Sequence, residues 1–269
     1  ISILMESHFP KSVEIPKRDE TNLCQSRYYK RNKRFCTASD LKDTFITSER
    51  VSAAIKSFGS FKAPGEDNLK PCVLKEFIKN ENGLKRLTML FKAIVTLGYT
   101  PNAWCSAKVI FIPKLGKSDY SEPRSFRPIS LLSFLFKTVE RLVFWELDHK
   151  VLKVNPLSKN QHAFRKGYST ETALSCLIND IEKSVYNSGT ALVASLDCQG
   201  AFDSLLYSDI ALALKKRNTP KHIVNWYDSF LRNRRANISF NEVSSCFKLK
   251  LGCAQGGILS PIIWNITFE

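Results

Sequence analysis

Asp197 closes an apolar run, Ala191 to Leu196, that predicts a β-strand, and a carboxylate at a strand end is held rigidly. With the backbone carbonyl of Cys198 beside it, such a group can share a divalent cation, as two-metal phosphoryl transfer requires. Taken alone, an aspartate after a strand is more often a turn or cap residue than a ligand. Its neighbours change that reading. Gly200 and Ala201 leave room for a triphosphate to approach backbone amides, and Phe202 then sets a ring near where a sugar would lie. A ring against C2′ tolerates hydrogen but not hydroxyl, so it favours deoxynucleotides. Asp203 reads as a cap or turn residue with no metal role. Further on, Gly252-Cys-Ala-Gln-Gly-Gly-Ile-Leu-Ser-Pro261 presents a glycine-flanked Gln255 that runs into a helix start at Ser260-Pro261.

Those residues need a scaffold, and hydrophobic periodicity supplies one. Val51, Ala54, Ile55 and Phe58 mark a helix started near Thr47 and stopped at Gly59. Leu84, Leu87, Phe91 and Ile94 mark a second, ending at Gly98. Val109 to Ile112 and Ile129 to Leu132 read as a β-hairpin with a long polar tip. Leu135, Val139, Leu142 and Val143 begin a third helix, and Ala173, Leu174, Leu177, Ile178, Ile181 and Val185 make a fourth that stops near Gly189. A helix follows with Thr219 as N-cap and Pro220 in its first turn. Ile238 and Phe240, then Phe247, Leu249 and Leu251, alternate as paired strands around Asn241 to Ser245. Mixed helices with few strands predict an α+β fold.

Composition bounds the partners. The 269 residues are 43% hydrophobic and 11% aromatic, which is enough to bury a core and excludes a disordered chain. A net charge of +15 points to polyanions, nucleic acid before acidic membrane. Arg27-Tyr-Tyr-Lys-Arg-Asn-Lys-Arg34 interleaves cations with rings that can stack on bases, although a solvated linker is the more ordinary reading of such a run. Eight cysteines without a Cys-x-x-Cys pair read as reduced thiols of an intracellular protein. No run is long enough to span a membrane. The first residue is Ile, so the chain reads as an internal piece of a longer polyprotein.

The stretch from Ala194 to Asp203 and that from Gly252 to Pro261 together resemble the A and B motifs of reverse transcriptases. The likeness extends over nearly the whole chain, in order. Ser60-Phe-Lys-Ala-Pro-Gly-Glu-Asp-Asn68 looks like the Lys-x-Pro-Gly-x-Asp entry of the non-long-terminal-repeat (LINE-type) retrotransposon enzymes. Trp104 to Lys137 resembles their fingers hairpin, Gln161 to Thr170 their next block, and Leu4 to Pro10 the linker after their endonuclease. Jockey-like and chicken-repeat-like elements are the nearest subgroups. The resemblance implies that Asp197 is the first metal-binding catalytic carboxylate and that Phe202, beside Ala201, gates the sugar. It also implies that Gln255 and Gly256 lie beside the incoming nucleotide and template, and that Lys114 and Arg127 grip the triphosphate. Ala254 stands where a proline is usual and Gly257 where serine is frequent, which predicts a looser loop.

The expected fold is a right-hand polymerase, fingers plus an incomplete palm, with the second catalytic hairpin and the thumb beyond Glu269. Residues 1–45 are expected to be a linker, 46–189 fingers with adjoining helices, and 190–269 palm. The expected activity is RNA-directed DNA polymerisation from a 3′-hydroxyl primer, supported by two Mg²⁺ ions, or Mn²⁺. RNA template, DNA primer or target, deoxynucleoside triphosphates and the rest of the polyprotein are the partners, in a ribonucleoprotein of nucleus and cytoplasm, with no membrane. This chain alone is expected to be inactive. The alternative is a non-catalytic remnant that binds nucleic acid.

Overall fold

The computed structural model describes residues 1–16, 45–241 and 243–269, so the basic cluster at Arg27 to Arg34 lies outside the described residues. Helix α1 (Ser2–His8) leads into strand β1 (Val13–Ile15). Helices α2 (Ser48–Lys56), α3 (Pro71–Phe77), α4 (Glu81–Leu97) and α5 (Asn102–Cys105) precede the hairpin β2 (Ser106–Pro113) and β3 (Phe126–Leu131). Then come α6 (Phe134–Glu146), a π-turn over Leu147–Val151, and α7 (Leu152–Val154). Helices α8 (Thr170–Ser188), α9 (Tyr207–Lys216) and α10 (Lys221–Asn233) lead to strands β4 (Arg235–Phe240) and β5 (Val243–Lys248), and α11 (Ser260–Phe268) ends the chain. The architecture is thus mixed helix and sheet, with one five-stranded sheet ordered β1-β5-β4-β2-β3.

Local signals place most of these elements. The Thr47 side chain accepts from the Arg50 amide and starts α2, whose Val51, Ala54 and Ile55 are fully buried. Asn80 caps α4 in the same way, and Gly98 ends it in the left-handed region at φ 61°. Pro128 can stand in β3 because that strand is the sheet edge, where a missing amide costs no ladder bond. β2 and β3 pair antiparallel, from Lys108 opposite Leu131 to Pro113 opposite Phe126. β2 runs parallel to β4, and the other pairings are antiparallel.

Two apolar cores hold the assembly. The larger lies among the helices, where Phe136 stacks on Trp226 and on Phe230 with centroids 5.5 and 4.2 Å apart. The smaller lies against the sheet and joins Met5 and Phe9 to Val109, Ala236, Ile238, Phe247 and Leu249. The start of the chain, expected to be linker, therefore supplies a helix, an edge strand and core residues. No described helix is long and apolar enough to cross a membrane.

Four expectations need correction. Residues 191–196 form no strand and are exposed throughout. A strand exists only against a neighbour, and no described strand pairs with this segment. Helix α8 forms and stops at Gly189, φ 76°, but none of its residues is buried, and Leu174, Leu177, Ile178 and Val185 stand open. Helix α10 is capped one residue later than predicted. Pro220 keeps an extended ψ of 134°, so the helix starts at Lys221 and the buried Thr219 hydroxyl makes no cap bond. The β4–β5 turn is tighter than expected, since Phe240 already pairs with Val243.

Candidate active site

Lys114 leaves the end of β2 with its backbone amide on the Ser125 carbonyl and its Nζ on the Arg124 carbonyl, both at 2.8 Å. The Tyr120 hydroxyl donates to the Lys114 carbonyl at 2.8 Å, which closes the hairpin tip. Arg127 projects from β3 opposite Ile112 and is exposed. The tip is braced from outside by α1: His8 Nε2–H donates to the Pro123 carbonyl at 2.8 Å, and its ring lies 5.6 Å from that of Phe111. Burial holds the His8 imidazole below its ordinary pKa, in keeping with a neutral donor.

The two motif stretches meet through their backbones. The Cys253 amide donates to the Phe202 carbonyl and the Gly252 amide to that of Leu205, each at 2.7 Å. Gly252 has φ 80°, and a Cβ there would lie 2.8 Å from the Asp203 Cα, so this crossing requires glycine. On the far side, the outward amide of Ser130 on edge strand β3 donates to the Gln255 carbonyl at 2.7 Å. The loop thereby docks on the free edge that a sheet must cover. Positions 254 and 257, expected to loosen the loop, are closely packed and hydrogen-bonded in the structure. Ala254 is buried, its carbonyl accepts from the Gly257 amide at 2.8 Å and from the Ser260 hydroxyl at 2.7 Å, and a Cβ at 257 would crowd Ser260 Oγ at 2.9 Å.

Between hairpin and loop lies a cavity of about 570 Å³. Lys114, Arg127, Ala201, Phe202 and Gln255 all line it, so five residues singled out in separate stretches converge. Gln255 Oε1 is fully buried and has no hydrogen-bond partner among the described residues. Gly256 stands just behind, its φ of 112° letting the backbone pass within Cβ distance of the Ser130 carbonyl. Lys117 and Arg124 add two cations to the same wall, and Gln199 and Asp203 add polar groups. Sequence reasoning gave Lys117, Arg124 and Gln199 no role, although both cations stand in the hairpin tip already quoted, and it read Asp203 as a cap or turn residue only. Burial pushes the Asp203 carboxyl up to about 7, against the opposing field of Arg234. Phe202 contacts the rings of Phe164 at 5.9 Å and Trp264 at 6.0 Å. Gln161 and the Ala163 carbonyl tie that block to Asn265 of α11, each at 2.8 Å.

Asp197 and Cys198 stand apart from this convergence. Both are exposed, on the segment that forms no strand. Among the described residues no three His, Cys, Asp or Glu side chains come together as a metal set. As placed, Asp197 and Cys198 do not by themselves make a two-ion centre.

Cations on a hairpin, a small-residue turn ending in an aromatic ring and a docked Gln loop thus line one cleft. Residues 112–269 match the family model for reverse transcriptase (RNA-dependent DNA polymerase). The chain belongs to that family. It is 32% identical over 222 residues to the RNA-directed DNA polymerase from mobile element jockey of Drosophila melanogaster, covering 82% of this chain and 24% of that protein. The probable RNA-directed DNA polymerase from transposon BS of the same fly is 30% identical, with the same coverage. The Pol polyprotein from type-1 retrotransposable element R1 of Bradysia coprophila is 28% identical over 226 residues, 83% of this chain and 22% of the relative. The chain is therefore a reverse transcriptase domain of the kind carried by non-long-terminal-repeat retrotransposon proteins, and it spans about a quarter of the length of these relatives.

Proposed function

We propose that the cavity receives a deoxynucleoside triphosphate for RNA-directed DNA synthesis, and the observation that carries this is the convergence of Lys114, Arg127, Ala201, Phe202 and Gln255 on one wall-to-wall space. Lys114 and Arg127 neutralise phosphate charge, with Arg127 able to do so through two parallel N–H donors. Ala201 leaves the backbone of the turn open to the phosphates, Phe202 excludes a 2′-hydroxyl, and Gln255 with Gly256 borders the base and template. In this reading the hairpin with its flanking helices is the fingers and residues from 190 onward are palm. Asp197 and the Cys198 carbonyl take up the metal-ligand role, with Mg²⁺ or Mn²⁺, when the 191–196 segment is paired as a strand. An RNA template, a DNA primer at a target site and the rest of the polyprotein complete the assembly, a ribonucleoprotein of nucleus and cytoplasm.

Equilibrium binding of a fluorescent deoxynucleoside triphosphate tests the assignment. Lys114→Ala and Arg127→Ala should each weaken it about tenfold or more, since a hydrogen bond to a charged group contributes roughly 1.5–3 kcal/mol. Unchanged affinity in the double variant would remove the cavity from the mechanism.

One observation favours a second reading for this chain taken alone. Asp197 is solvent-exposed on an unpaired segment, so the isolated chain is expected to bind nucleic acid without copying it. Binding to an RNA–DNA hybrid should weaken with salt, log K falling by roughly 0.9 per log unit for each duplex phosphate neutralised. In a primer-extension assay with Mg²⁺ or Mn²⁺, the chain should match its Asp197→Asn variant. Extension that the substitution abolishes would refute the non-catalytic reading.

A further inference from the structure

Glu140 is fully buried in the middle of α6, yet it touches neither solvent nor the cavity. Its carboxylate accepts from the backbone amides of Ile258, at 3.0 Å, and Leu259, at 3.4 Å, where the Gln255 loop turns into α11. Leu259 is the N-cap of α11 and Ile258 the residue before it, and an anionic acceptor beside a helix N-terminus is favourable. The other end of the loop has a matching anchor. Arg234, buried between α10 and β4, donates from Nη1 to the Gly252 carbonyl at 2.7 Å. The two anchors are of opposite charge and grip opposite backbone polarities, carboxylate on N–H and guanidinium on C=O. Gln255 lies between them, its carbonyl on the Ser130 amide, and its buried Oε1 has no hydrogen-bond partner among the described residues.

We propose that Glu140 and Arg234 are positioning residues that pin the two ends of the 252–259 loop and so aim the Gln255 amide into the nucleotide cavity. Breaking a buried polar anchor leaves its partner unsatisfied in the core, so each anchor restrains the loop end that it holds. Burial pushes the Glu140 carboxyl up to about 7, despite the two amides and the nearby Lys137 and Arg234. Arg141 on its own helix and Tyr227 on α10 are the other titratable groups that feel it. The strain of holding this carboxylate in the core has a purpose if the loop's geometry matters more than the core's stability.

The inference rests on the cavity binding a triphosphate, and a double-mutant cycle separates the two ideas. Affinity for the fluorescent deoxynucleoside triphosphate is measured for the wild type, Glu140→Gln, Gln255→Ala and the double variant, with amide hydrogen exchange on each. A Gln at 140 sets an N–H₂ donor against an amide donor, so one pin is broken while volume is kept. Glu140→Gln and Gln255→Ala should each weaken binding about tenfold, and the double variant no further than Gln255→Ala. The amides of Ile258 and Leu259 should lose protection while the interiors of α6 and α10 keep theirs. Additive losses, or unchanged protection at 258 and 259, would overturn the proposal. If Glu140→Gln does not fold, Arg234→Lys enters the same cycle with the same expected non-additivity. If the wild type binds no triphosphate, the cavity assignment fails, and protection at 258–259 in Glu140→Gln alone decides whether the pin exists.

Discussion

The hairpin with the Gln255 loop and the stretch from α8 to Asp197 were equally well marked in the amino-acid pattern, and they behave oppositely in three dimensions. β2–β3 is paired along its length, docked on β4, braced by His8 and sealed at its free edge by the loop. Helix α8 has a capping box at Ser169–Thr172 and a glycine stop, yet no residue of its apolar face is buried. The segment after it, through Leu192 and Leu196, is more exposed still. Caps and periodicity are local and act without a partner, whereas burial and strand pairing are two-body events. The cation wall of the cavity is therefore fixed by contacts within this chain, and the segment that carries Asp197 is not.

The sharpest way to break this contrast is to delete an apolar side chain on each side. Trp226→Ala, fully buried against Phe136, should lower unfolding stability by about 3–5 kcal/mol. Leu177→Ala in α8, already 44% exposed, should change it by no more than about 0.5 kcal/mol. Chemical denaturation measures both. A large loss at Leu177 would mean that α8 is covered in solution and that the two regions are alike.

That contrast also sets what could be read without coordinates. Helices with both a periodic face and a stop residue were legible, as at Phe91, Ile94 and Gly98 of α4. The hairpin was legible because β2 and β3 are neighbours in sequence. The Ala191–Leu196 run carried the composition of a strand, but nothing in a single chain's pattern says whether a partner is present. Thr219 was misplaced by one residue because proline suits both the cap and the first turn. Glu140 was missed although it left a signal: it lies four residues after Phe136 and three before Val143, on the buried stripe of α6. A carboxylate on an inward helix face needs partners, and here they are backbone amides that sequence does not display.

A second prediction sharpens the fixed side through pH. The Glu140 carboxyl is raised from 4.5 to about 7 in the fold, so between those values the folded state holds a proton that the unfolded state has lost. Stability should fall as pH rises through this window and level off above it. The shift corresponds to about 3 kcal/mol at most for a buried group. Asp203, raised from 3.8 to about 7, acts with the same sign, while His8 and His222, both lowered from 6.5, act against it. The measurement is therefore a difference. Thermal midpoints of Glu140→Gln should decline less than those of the wild type from pH 5 to 7.5, with parallel curves as the outcome that sinks the assignment.

Phe202 stands on the boundary between the two regions, and a smaller effect there tells which side owns it. Its ring touches Trp264 of the anchored α11 and Phe164 of the open block before α8, and its face lines the cavity. As a sugar gate, the ring blocks a 2′-hydroxyl, and a shorter side chain should admit it. Discrimination by steric fit alone is modest, on the order of tenfold, so Phe202→Val should reduce the preference for dGTP over GTP by about that factor. As an aromatic anchor, the same substitution removes ring contacts worth roughly 0.5–1.5 kcal/mol beyond area and lowers stability without touching the preference. Competition binding of dGTP and GTP, run beside a denaturation curve, separates these outcomes. A lost preference with a small stability change puts the ring in the site. A kept preference with a large one makes Phe202 the clasp that joins the anchored helix to the open segment, and the sugar must then be read by another group in the cavity.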